Sequence, residues 1–147
     1  MSSRDTQFKA TLLHPRHWPI WLVFGLWRAI TALPYPVLLA LGTGVGLAIH
    51  SFASRRKTIA KRNIELCFPD QSPAQNAAML RANFISTGIA TMEIGIAWWW
   101  SKKRFAKLLQ FEGLENFNAV KDRGVMLLGI HYTTLEVGAA AMSSVAS

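Results

Sequence analysis

Two apolar runs near the amino terminus limit what this chain can become. Trp18 to Leu33, "WPIWLVFGLWRAITAL", is apolar apart from Arg28, and a second run, Val37 to Phe52, follows after "PYP". At about 1.5 Å per residue the first run is short for a hydrocarbon core of about 30 Å. Trp18, Trp21 and Trp27 suit headgroup depth, and Arg28 can snorkel. Arg16, His17 and Pro19 crowd its start and no small-residue cleavage site follows Leu33, which argues against a signal peptide. The second run carries Gly42, Gly44 and Gly46, small residues that let helices approach closely. Both outer flanks are basic: Arg4, Lys9 and Arg16 precede the pair, and Arg55, Arg56, Lys57, Lys61 and Arg62 follow it. The link is uncharged, so the positive-inside rule places both flanks in the cytoplasm. A shallow re-entrant hairpin fits this pattern, and so does one tilted span followed by an interfacial helix. The third reading is a buried hairpin of a soluble domain.

Composition narrows the partner. The chain has 147 residues, enough for one modest domain. It is 51% hydrophobic, carries six Trp and has a net charge of +8. Cations attract anionic headgroups and Trp favours the interface, so a membrane surface with its phospholipid is expected rather than nucleic acid. The single cysteine, Cys67, excludes an internal disulfide framework and reads as a small buried apolar residue. Without a CxxC or a Cys/His cluster, neither a metal nor a cofactor is suggested.

The rest of the chain reads as follows. Ser54 to Leu66 is a basic amphipathic helix and "FPDQSP" is a turn. Ser72 caps a long helix with Pro73 at its first position, and that helix ends in "WWW", Trp98 to Trp100. Ser101 caps "KKRFAKLLQ", "FEG" suits a short strand, and Leu114 to Lys121 suits a helix turning at "DRG". Gly124 to Ile130 is short, apolar and bounded by turn signals, which predicts a buried strand. Thr133 or Thr134 starts the last helix. The expected class is therefore α/β, with residues 1–53 as membrane-anchoring helices and 54–147 as the start of an α/β domain.

"GVMLLGIHYTTLEVG" holds the candidate chemistry. On one continuous helix, His131 and Glu136 would lie about 140° apart. A strand ending near His131, followed by a turn and a helix, puts the imidazole at the carboxyl end of a strand, with Glu136 able to reach back. An imidazole in that position can take a proton from an attacking hydroxyl while a carboxylate steadies its other nitrogen. The competing reading is structural: "TTLE" matches a capping box, with Thr133 as N-cap and Glu136 at the third helical position.

Five blocks together, "LLHPRHWPIWL", "RRKTIAKRNIELCFPD", "EIGIAWWWS", "FEGLENF" and "GVMLLGIHYTTLEVG", resemble the late acyltransferases of lipid A biosynthesis, the lauroyl/myristoyl acyltransferase family of Gram-negative bacteria. The resemblance runs along essentially the whole chain. It implies an inner-membrane enzyme whose catalytic part faces the cytoplasm. It also implies acyl carrier protein thioester as donor and a hydroxyl of a Kdo-bearing lipid A precursor as acceptor. His131 would be the general base and Glu136 its orienting partner. Glu at that position looks more like the lauroyl/palmitoleoyl branch than the myristoyl branch. Arg55, Arg56, Lys57, Lys61 and Arg62 become candidates for binding lipid phosphates or the acidic carrier protein; the plainer reading is a positive-inside flank. Trp98 to Trp100 line a lipid entrance or serve as packing.

Family members are longer, with strands, helices and basic residues beyond the HxxxxE helix. The expectation is therefore a truncated chain with little or no activity of its own. Two alternatives stand beside it: a catalytically dead membrane-interaction protein, and another HxxxxD/E acyltransferase acting on glycerol phosphate. The second lacks its usual downstream phosphate-binding motif here.

Overall fold

The computed structural model describes residues 10–120, 122–126, 128–130 and 132–146. Two 3-10 turns, Ala10–Leu13 and Pro15–His17, lead into α1, Trp18–Thr31. Pro34 and Pro36 break the chain and start α2, Tyr35–Phe52, as expected for prolines at a helix entry. The basic helix α3 spans Ser54–Cys67. The long helix α4, Pro73–Trp99, opens on a reciprocal capping box: the Gln75 amide donates to Ser72 Oγ at 3.3 Å, and the Ser72 amide donates to Gln75 Oε1 at 2.8 Å. Ser101 caps the short α5, Lys102–Ala106, through the Arg104 amide. Gly113 turns the chain at φ +73 into α6, Leu114–Asn118, and α7 spans Leu135–Ala146.

The centre of the fold is the antiparallel contact of α2 with α4. Leu38, Gly42 and Gly46 form one fourfold-spaced ridge; Leu80, Phe84, Gly88, Met92 and Ile96 form the other. Glycine is required where the ridges cross. A methyl on Gly42 would come within 2.7 Å of Ile89 Cα, and one on Gly46 within 2.6 Å of Ile85 Cα. A methyl on Gly88 would overlap Gly42 O and Gly46 N. Backbone atoms cannot step aside, so the pair closes only because these side chains are absent. Of the three glycines singled out in the second apolar run, Gly44 plays no part: it faces open space. Leu38, Met92 and Ile96 then join Phe105 and Ala141 in the buried cluster, which ties α5 and α7 to the same end of the pair.

α1 is held differently. From Trp18 to Leu26 it is exposed on every side, and only its last turns dock on α4. There Trp27 donates to Thr91 O at 3.2 Å and meets Trp99 edge-on, while Thr31 is buried against Gly95. The carbonyls left open at the end of a helix need partners. Trp100 Nε1 donates to Thr31 O at 2.6 Å, and Arg104 donates to Ala32 O at 3.0 Å and Leu33 O at 2.6 Å. The Arg104 guanidinium also lies 3.6 Å over the Trp100 ring.

Three expectations are corrected. Residues 124–126 and 128–130 form no strand, and Met126 and Leu128 are 95% and 94% exposed rather than buried. "FEG" forms none either, so the described residues are helices and loops, not an α/β sheet. The physical reason is the same in both places. An isolated strand leaves its amides and carbonyls unpaired, and no other described segment offers an edge. Cys67, expected inside, is exposed at the end of α3.

Candidate active site

Glu136 stands in the first turn of α7, and it is exposed. His131, the expected general base, lies outside the described residues. α7 starts at Leu135, so Glu136 is its second residue rather than its third. The Thr133–Glu136 capping box is not formed among the described residues: the helix opens instead through the Gly138 amide on Thr134 O at 3.0 Å. Glu136 is thus not accounted for as a cap. An apolar hollow of about 370 Å³, lined by Ile130, Tyr132, Leu135 and Met142 among others, lies beside this turn.

Val137, Ala140 and Ala141 fix α7 against the Leu38, Met92 and Ile96 end of the helix pair. The basic helix sits at the other end. Arg55 and Arg56 line a groove of about 730 Å³ with Ile49, Ile59, Asn83 and Phe84. From Phe84 to Ile96 is about 18 Å along α4 at 1.5 Å per residue. The structure therefore separates the five cations from Glu136, and it also divides them. Lys61 and Arg62 each sit 3.9 Å from a Glu65 oxygen, whereas Arg55, Arg56 and Lys57 have no ion pair among the described residues.

Trp98 to Trp100 act in packing. Trp98 and Trp99 meet Trp27, with ring centroids at 5.5 and 5.1 Å, and Trp100 caps α1. Sequence reasoning missed two polar residues at this end. Arg104 was one of several cations in "KKRF" and carried no distinguishing mark. Glu93 did carry one, as the only carboxylate between Asp70 and Glu112. It accepts the Tyr35 hydroxyl at 2.9 Å on Oε1, and its buried Oε2 has no hydrogen-bond partner among the described residues.

Residues 5–146 match the sequence model of the bacterial lipid A biosynthesis acyltransferases. The chain belongs to this family. Among curated members, it is 43% identical over 135 residues to the lipid A biosynthesis lauroyltransferase of Escherichia coli K12, covering 90% of this chain and 44% of the relative. It is 41% identical over 138 residues to the palmitoleoyltransferase of the same organism, covering 92% and 45%. Against the E. coli myristoyltransferase the identity is 27%, over 94% of this chain and 43% of the relative. The chain thus spans less than half the length of the family members it matches. The chain is thus more similar to the lauroyl- and palmitoleoyltransferases than to the myristoyltransferase. No solved structure matches.

Proposed function

We propose that this chain forms the membrane-anchoring and base-bearing portion of a lipid A acyltransferase. In this reading, a fatty acyl group passes from an acyl carrier protein thioester to a hydroxyl of a Kdo-bearing lipid A precursor at the cytoplasmic face of the inner membrane. His131 takes the proton of the attacking hydroxyl, and Glu136 steadies the imidazolium that results. The observation that carries the reading is the family match over residues 5–146, which includes both residues.

The anchor has physical support. α2 is long and apolar enough to cross a membrane by length and composition. α1 exposes Trp18, Ile20, Leu22, Val23 and Leu26, all more than half accessible, which suits a helix surrounded by lipid better than one surrounded by water. Arg104 against the "PYP" turn disfavours the re-entrant hairpin with that turn at its deepest point. A guanidinium is costly at the middle of a bilayer and at home among headgroups.

The test uses a family-length protein carrying this sequence, assayed with acyl carrier protein thioester and a Kdo-bearing tetraacyl precursor. His131→Ala is expected to lower turnover about 10²- to 10⁴-fold. Glu136→Gln is expected to lower it as well, through loss of the charge. Near-normal turnover of both variants would remove the dyad. The 147-residue chain by itself is expected to fall well below the longer protein, because residues 124–126 and 128–130 have no strand neighbour among the described residues and a general base needs a fixed position.

A further inference from the structure

A groove of about 730 Å³ lies between α2, α3 and α4. Its floor is apolar, from Ile49, Ala60 and Phe84, and its rim carries Arg55, Arg56 and Asn83. Neither arginine is neutralised by a carboxylate among the described residues, whereas Lys61 and Arg62, nearly two turns further on, share Glu65. An apolar floor beneath two unpaired guanidiniums and an amide complements a molecule with one anionic oxygen-rich head and a hydrocarbon tail. Ile49 lies in the last turn of α2, the helix apolar enough to cross a membrane, and Phe52 at its end is 86% exposed. The apolar surface of α2 thus runs directly into the groove, so a lipid in the surrounding leaflet reaches it by lateral movement.

We propose that this groove binds one anionic phospholipid, its phosphate held between Arg55 and Arg56 and the start of an acyl chain lying on Ile49 and Phe84. A reacting substrate is a poorer occupant, because α4 lines the groove through Asn83, Phe84 and Thr87, whereas α7 packs at Met92 and Ile96, about 7.5 Å or more further along the helix. The assignment does not depend on the transferase reading, and its failure would leave that reading untouched.

The test compares two charge-matched double variants of the 147-residue protein in nanodiscs of zwitterionic phosphatidylcholine. Each nanodisc is titrated with fluorescent phosphatidylglycerol, and circular dichroism checks helix content. Arg55→Gln with Arg56→Gln is expected to weaken phosphatidylglycerol binding about tenfold to thirtyfold, as two cations near the surface would imply. Lys61→Gln with Arg62→Gln removes the same formal charge and is expected to change it less than about threefold. Ala60→Trp fills the floor without altering charge and is expected to abolish saturable binding while leaving weak electrostatic association. Equal losses in the two double variants would reduce the site to diffuse surface charge and overturn the proposal. Undiminished saturable binding to Ala60→Trp would overturn it as well. A diphosphorylated, acylated glucosamine disaccharide competing at far lower concentration than phosphatidylglycerol would reassign the groove to the substrate.

Discussion

The α2–α4 contact and the segment from residue 122 to 146 are both rich in small and apolar residues, yet they are organised in opposite ways. In the first, the ridge residues are buried, and glycines bring the two backbones together. Among the described residues of the second, Met126, Leu128 and Ile130 are exposed, and α7 packs against the core. Helices satisfy their own backbone and need a neighbour only for their side chains. A strand needs a neighbour before its backbone is satisfied at all. The same apolar content therefore gives a finished core in one place and an open edge in the other.

The sharpest way to break the comparison is Gly88→Ala. Its methyl would meet backbone on α2, so the variant is expected to lose about 3 kcal/mol or more, at the upper end of overpacking costs. Gly44→Ala is the control. It faces open space inside a helix and should be neutral or gain up to about 1 kcal/mol. Thermal unfolding in detergent reads both; equal melting temperatures would mean that the close approach is not what holds the pair.

Arg104→Gln ranks next. It removes a charged donor from Ala32 O and Leu33 O and from the face of Trp100, at an expected cost of about 1–2 kcal/mol. Faster amide hydrogen exchange should appear in the last turn of α1 and not in α3. Uniform acceleration across all helices would show that Arg104 acts on global stability instead. Leu128→Ser should be the mildest, within about 0.5 kcal/mol, because the side chain is already exposed. A loss comparable to that of Gly88→Ala would place Leu128 in a packed environment that this structure lacks.

Legibility followed the same division. The Ser72–Pro73 start, the Ser101 cap, the break at "PYP" and the bounds of the basic helix were readable because each is set by residues a few positions apart. Gly42 and Gly46 were readable as a class, but Gly44 could not be separated from them without knowing which face meets α4. The 124–130 strand was misread because local pattern reports burial preference and says nothing about whether a pairing partner exists. Of the site, Glu136 in the first turn of the last helix was legible, and His131 lies outside the described residues. The division of the basic cluster was not read at the outset, although the spacing of Glu65 from Lys61 and Arg62 contains it.

The bracket that Arg104 and Trp100 place on the end of α1 also sets an order of events during synthesis. Arg104 is 72 positions later in the chain than the carbonyl it caps. At about 5–20 residues per second, a ribosome takes roughly 4 to 14 s to cover that distance. Throughout that interval α1 has emerged while its last carbonyls still lack the partners that will fix its direction. The direction of this apolar arm is therefore settled late, when the arginine arrives to close the end of α1.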